Sequence, residues 1–169
     1  MNNYIDFSNY SDNEVLNMLK EKQKEYIILI QSELIAKKVM NYYGKNLYTS
    51  EYHSRINNEY HLLHERVMKK IVHPYDIPNI SNINIPIYSI IYRLDKSREI
   101  LLDHNHESYI DDDYNMTINM AIYKIKTIFK DTTIEYKDGI LYAIKDDEYT
   151  IIDDNYLDNL LSGSKVLKK

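Results

Sequence analysis

The sequence predicts an α+β fold, an N-terminal helical hairpin followed by a mainly antiparallel sheet with one or two packed helices in the order ββαβββα. Residues 11–44 and 49–73 carry apolar residues at helical spacing. All the prolines, Pro74, Pro78 and Pro86, then fall in one stretch. Beyond them, short runs rich in Ile, Tyr and Thr are punctuated by turn residues, most clearly at Asp138-Gly139.

Ser11-Asp12-Asn13-Glu14 reads as a capping box, the hydroxyl accepting from an amide three residues on and the carboxylate reaching back. The helix it opens carries Leu16, Leu19, Tyr26, Ile30 and Leu34 and stops at Gly44, a residue free to adopt a left-handed conformation. A second helix begins near Thr49-Ser50. Its stripe is Tyr52, Ile56, Tyr60, Leu63 and Val67, prolonged by Ile71, and it should pair with the first helix as an antiparallel hairpin. This gives a hairpin over 1–73, a Pro/Asn-rich connection over 74–86, and an α+β part over 87–169 packed with the helices as a single domain.

In the second part, Ile87 to Leu94 reads as a strand, Asp95-Lys96-Ser97 as a turn and Glu99 to Asp103 as its partner. Asp111 to Lys130 reads as a helix, with aspartates at its front, Lys124, Lys126 and Lys130 near its end, and Ile118, Ile122, Ile125 and Phe129 on one stripe. Its Ile-rich alternation also admits a strand. Asp138-Gly139 joins two strands, Asp146-Asp147 turns into a third over Glu148 to Ile152, and Asp153 or Asp154 caps a short helix through Leu157, Leu160 and Leu161 that Gly163 ends.

Composition limits function. The chain has 18 Tyr, no Trp and no Cys. It is also rich in Ile, Asn and Lys, whose codons are AT-rich, so the bias points to an AT-rich genome such as that of some large DNA viruses, protists or low-GC bacteria. Without cysteine there are no disulfides, thiolate nucleophiles or zinc-finger ligand sets. With Gly only at 44, 139 and 163, phosphate-cradling loops and nucleophile elbows are absent. The net charge is −5, and the acidity lies in residues 80–169, where 11 Lys/Arg face 16 Asp/Glu. Nucleic-acid coating usually needs a basic patch, so nucleic acid is not the expected partner. No run is long and apolar enough for a membrane span and no secretory leader opens the chain, so a cytoplasmic place is expected, in the host cytoplasm or virion if the source is viral.

The densest set of ligand-type residues is Asp103-His104-Asn105-His106-Glu107, followed by Asn115 and Asn119 on the expected helix. An Asp-His-x-His string ahead of a helical Asn resembles the active-site stretch of HNH-like nucleases. That resemblance implies a ββα-metal element with His104 as the base that activates water, and Asp103, His106 and Asn119 around a divalent ion. The plainer reading is a solvated polar loop whose Asp111-Asp112-Asp113 begins a helix. A second set, His53, His61, His64 and Glu65, borders the stripe of the second helix; His61 and His64 are spaced to share a metal, or to pack beside a core.

These readings lead to a small non-enzymatic intracellular protein that works through protein–protein interaction, with no catalytic residue, cofactor or metal favoured. The alternative is the divalent-metal-dependent nuclease. Oligomeric state is left open by the sequence.

Overall fold

Helix α1, Asp12–Tyr42, begins and ends where the sequence places its signals. Ser11 Oγ accepts from the Glu14 amide at 3.2 Å, and Glu14 Oε1 accepts from the Ser11 amide at 2.8 Å. At the other end the Lys45 amide donates to the Met40 carbonyl and the Gly44 amide to that of Asn41, with Gly44 at φ +77°. This is the Schellman arrangement, which needs a left-handed residue where glycine stands. The computed structural model describes residues 9–47, 57–63, 65, 82–103 and 112–167.

The buried stripe of α1 differs from the expected one. It passes through Val15, Leu19, Leu29, Ser32, Ile35, Ala36, Val39 and Met40, and leaves Leu34 exposed. Tyr26, Ile30 and Leu34 are four apart, and a strict four-residue repeat drifts around the helix by about 40° per step, whereas the 3-4-3 run from Leu29 to Val39 keeps one face.

A second helix, α2, is helical over 57–63. Leu63 is 1% exposed and forms a small core with Val15 and Leu19, while Tyr60 lies against Tyr26. Residues advancing along α2 thus meet residues retreating along α1, which is the expected antiparallel pairing. Tyr52, Ile56, Val67 and Ile71 lie outside the described residues.

The remaining elements among the described residues are strand β1 (Asn82–Asn84), helices α3 (Ile87–Asp103) and α4 (Asp112–Ile128), strands β2 (Thr133–Lys137), β3 (Ile140–Lys145) and β4 (Glu148–Ile151), and helix α5 (Asp154–Leu167). The class is α+β, with one antiparallel sheet in the order β1-β2-β3-β4. Two expectations are corrected. Residues 87–103 form one helix, not a strand-turn-strand: Ile90, Arg93, Leu94 and Ser97 are buried at i, i+3, i+4 and i+7, so tertiary burial overrides the β-propensity of the Ile and Tyr residues. The last helix continues through Gly163 to Leu167, since one helical glycine costs only about 1 kcal/mol relative to alanine.

The hairpins follow their turn chemistry. Asp138 (φ 50°) and Gly139 (φ 88°) are both left-handed between Lys137 and Ile140, which pair directly, as a type I′ turn requires. Asp146 (φ 53°) and Asp147 (φ 66°) repeat the geometry without glycine, aspartate being among the residues that tolerate it. Strand β1 comes from the end of the Pro/Asn-rich stretch and pairs with β2, Ile83 opposite Tyr136.

Ile83, Ile134, Leu141 and Ala143 face the helices, meeting Val39 and Met40 of α1, Ile90 and Leu94 of α3, Ile118, Ile125 and Phe129 of α4, and Leu157 and Leu161 of α5 in one core. A buried polar chain ties the helical layer together. The Tyr114 hydroxyl donates to the Asn46 carbonyl at 3.2 Å and lies 3.0 Å from the fully buried Ser97 Oγ. Asp153 caps α5 by accepting from the Tyr156 amide at 2.8 Å, and Asp154 forms an ion pair with Lys38 of α1.

Candidate functional site

The N-terminal half of α1, α2 and the start of α3 enclose an open groove of about 1020 Å³. The sequence dictates this. A helix of 31 residues is about 46 Å long, and α1 joins the main core from Ile27 onward, so its first turns need other partners, which Leu63 and Tyr60 supply. Met18, Ile28, Leu29 and Leu63 supply apolar walls, and Tyr88 and Tyr92, one helical turn apart on α3, stand at the rim with 74% and 45% of their surfaces exposed.

One lysine holds two glutamates at the groove. Lys22 Nζ donates to Glu59 Oε1 at 2.8 Å and to Glu25 Oε1 at 2.9 Å, joining α1 to α2. Burial by itself would lower the Lys22 pKa, but the hydrogen bonds and attraction from Glu59 and Glu25 outweigh it and hold the ammonium above its ordinary value. Arg93 is 1% exposed and Ser32 fully buried, and both contribute to the lining. The Ser32 Oγ has no hydrogen-bond partner among the described residues. Reading 87–94 as a strand concealed Arg93; the signal that could have found it is its place three residues after Ile90 and one before Leu94, a helical core position held by a cation.

Of the sequence-predicted site residues, His61, Glu65, Asn115 and Asn119 are described, and none of them lines the groove. Asp103 closes α3, and its side chain, with His104, Asn105, His106 and Glu107, lies outside the described residues, as do His53, His64 and Asp111. Asn119 is exposed on α4 and Asn115 half-buried one turn before it. The nuclease resemblance implies two strands ahead of Asp103; α3 occupies that stretch. His61 is exposed, its ring 5.5 Å from that of Tyr60, which places it beside the small α1–α2 core. Among the described residues no three His, Asp or Glu side chains are grouped to hold a metal ion.

The groove therefore offers aromatic and aliphatic surface together with charged groups. Compared with known proteins, the chain matches no family model, and no curated protein and no solved structure is significantly similar to it. No helix among the described residues is long and apolar enough to cross a membrane.

Proposed function

We infer that this chain is a non-enzymatic protein-interaction module that receives an apolar segment of a partner protein in the α1–α2–α3 groove. The observation that carries the reading is the Tyr88–Tyr92 pair, exposed on successive turns beside the apolar walls of Leu29 and Leu63. Tyrosine is favoured in interface anchors because it contributes large area at small rotamer cost and keeps a polar tip for hydrogen bonding. Exposed aromatics grouped at a concave apolar surface mark an interaction site more strongly than scattered ones do. The composition suits an AT-rich source, and a large DNA virus among such sources would place the protein in the host cytoplasm or the virion.

The test is a photo-crosslinking residue introduced at Tyr88 in the full chain, expressed in its source cell. A discrete polypeptide adduct is expected, lost in Tyr92→Glu while the far-ultraviolet circular dichroism is unchanged. Equal crosslinking by a folded Tyr92→Glu protein would remove the groove as the binding site. Metal-dependent DNA cleavage by the wild type would replace the reading with the nuclease.

A further inference from the structure

Among the described residues the sheet ends in β4. Among the described residues β4 has a neighbouring strand on one side, β3, and all four of its residues are exposed, Tyr149 and Ile151 at 56% and 50%. The hydrogen-bond phase of the ladder fixes which backbone groups face outward. The Ile152 amide donates to the Leu141 carbonyl at 2.9 Å. In an antiparallel pair hydrogen-bonded and non-hydrogen-bonded positions alternate, so Thr150 opposite Ala143 and Glu148 opposite Lys145 also bond to β3. Tyr149 and Ile151 therefore direct their N–H and C=O groups away from the sheet, ready to accept another strand.

The side chains at the same positions lie on the sheet face opposite the core. There Tyr149 meets Tyr142 edge to face at 5.6 Å, and Ile151 pairs with Tyr142 across the ladder. Ile140 to Ile144 is apolar on both faces, a pattern expected of a strand covered on both sides, yet the helices cover one. Strand β4 holds no Lys, Pro or bulge; the devices it has against indiscriminate pairing are its four-residue length and the carboxylates at its ends. At the other end of the described sheet, Asn82-Ile83-Asn84 is shorter, polar on its outer face and followed by Pro86.

Charge decides between occupants. The exposed Asp146, Asp147 and Glu148 stand at one end of β4 and Asp153 at the other. A second copy of this chain, paired antiparallel about Thr150 so that Tyr149 meets Ile151 in both directions, brings Asp147 of one copy beside Asp153 of the other. Like charges meet at both ends of such a pairing. We propose that β4 is a docking edge for an extended segment of a partner protein, added as a fifth strand, with β-branched or aromatic residues in its centre and Lys or Arg at both ends. The backbone of Tyr149 and Ile151 supplies the hydrogen bonds, the Tyr142–Tyr149–Ile151 surface receives the central side chains, and the flanking carboxylates select the basic ends. This surface is separate from the groove and independent of it.

The test uses the full-length protein and a fluorescein-labelled heptapeptide, Val-Tyr-Val flanked by two lysines on each side, followed by anisotropy. Saturable binding is expected, weakened on raising salt from about 0.05 M to about 0.5 M as the Debye length contracts. Binding is expected to weaken at least about tenfold when glutamates replace the lysines. Ile151→Pro removes an outward N–H and leaves the bonds to β3, so it should lose the peptide while the Ile152 amide stays protected from exchange. Should that variant fail to fold, Tyr149→Lys, at an exposed position, is expected to repel the same peptide. Tyr92→Glu should bind it as the wild type does, which separates this edge from the groove. Equal binding of the lysine- and glutamate-flanked peptides, wild-type binding by folded Ile151→Pro, or a sedimenting dimer that Ile151→Pro dissociates would each overturn the proposal, the last by assigning the edge to a second copy.

Discussion

Tyr26 of α1 and Tyr60 of α2 stack face to face, their ring centroids 5.2 Å apart and their planes within 6°. The stack lies beside the Lys22–Glu59 ion pair, so an aromatic and an ionic contact join the two helices at one level. Offset aromatic pairs contribute about 0.5–1.5 kcal/mol beyond the area they bury. A double-mutant cycle with Tyr26→Leu and Tyr60→Leu should therefore return a coupling of about that size; additive effects would mean that the rings contribute only buried area.

Leu63 is the fully buried residue of α2 among the described ones, and it meets Val15 and Leu19. Leu63→Ala should cost about 2–5 kcal/mol, the usual range when a buried leucine leaves a cavity that collapses incompletely. Urea denaturation followed by circular dichroism measures it. A loss under about 0.5 kcal/mol, typical of surface sites, would mean that α2 does not dock on α1 in solution.

At Gly139 nothing lies within 4 Å of where a Cβ would stand, and φ is +88°. The cost of Gly139→Val is therefore backbone strain, not a clash, and should reach about 1 kcal/mol or more because a β-branched residue resists positive φ. Gly139→Asn should cost less, since asparagine tolerates the left-handed region. Equal denaturation midpoints for the two variants would contradict the type I′ assignment.

Alkaline pH should unfold the protein sooner than its ion pairs alone would imply. Tyr43 and Tyr156 are pushed up, Tyr43 by burial and then by the neighbouring Tyr42, Tyr156 by burial. Lys22 is raised because Glu59 and Glu25 outweigh the opposing effect of burial. Each group binds its proton more tightly folded than unfolded, so its contribution is whole below the unfolded pKa and lost as pH climbs through the folded one. Denaturation midpoints should hold near neutrality and fall above about pH 10, where free tyrosine and lysine titrate. Lys22→Met should flatten part of that fall; an unaltered profile would remove the Lys22–Glu59 pair from the account.

Local signals were legible in the sequence, and long-range ones less so. The capping box at Ser11, the Gly44 stop and the Asp138-Gly139 turn each rest on hydrogen bonds or dihedrals that span a few residues, so the residues alone specify them, while for the last helix they narrow the cap to Asp153 or Asp154, and Asp153 takes that place. Helix α3 was misread because its evidence is tertiary. Isoleucine and tyrosine, abundant throughout this chain, imitate a strand, and the cation Arg93 on the buried face breaks the apolar stripe that would have revealed a helix. The groove was hidden for the same reason: it joins residues of α1, α2 and α3 that are far apart in sequence, whereas motif reading looks for chemistry within short windows. Its tyrosines carry no sequence signal that separates them from the rest.

The segment from Asp103 to Asp113 separates the two functional readings most sharply. As a binding module, the protein needs no chemistry there, and His104→Ala and His106→Ala should change stability by no more than about 0.5 kcal/mol, as substitutions away from special features usually do. Partner capture at Tyr88 should also be unaffected. As a nuclease, the protein needs His104 to take a proton from water beside a metal-bound phosphate, and its removal should depress cleavage by roughly a hundredfold or more with the fold intact. The assay is plasmid and single-strand cleavage in magnesium, manganese and zinc, with and without chelator. Under the interaction reading no cleavage is expected with any of these ions. Wild-type cleavage that chelator abolishes and His104→Ala loses would assign the chemistry to this segment, and would do so even though helix α3 stands where the nuclease resemblance implies two strands.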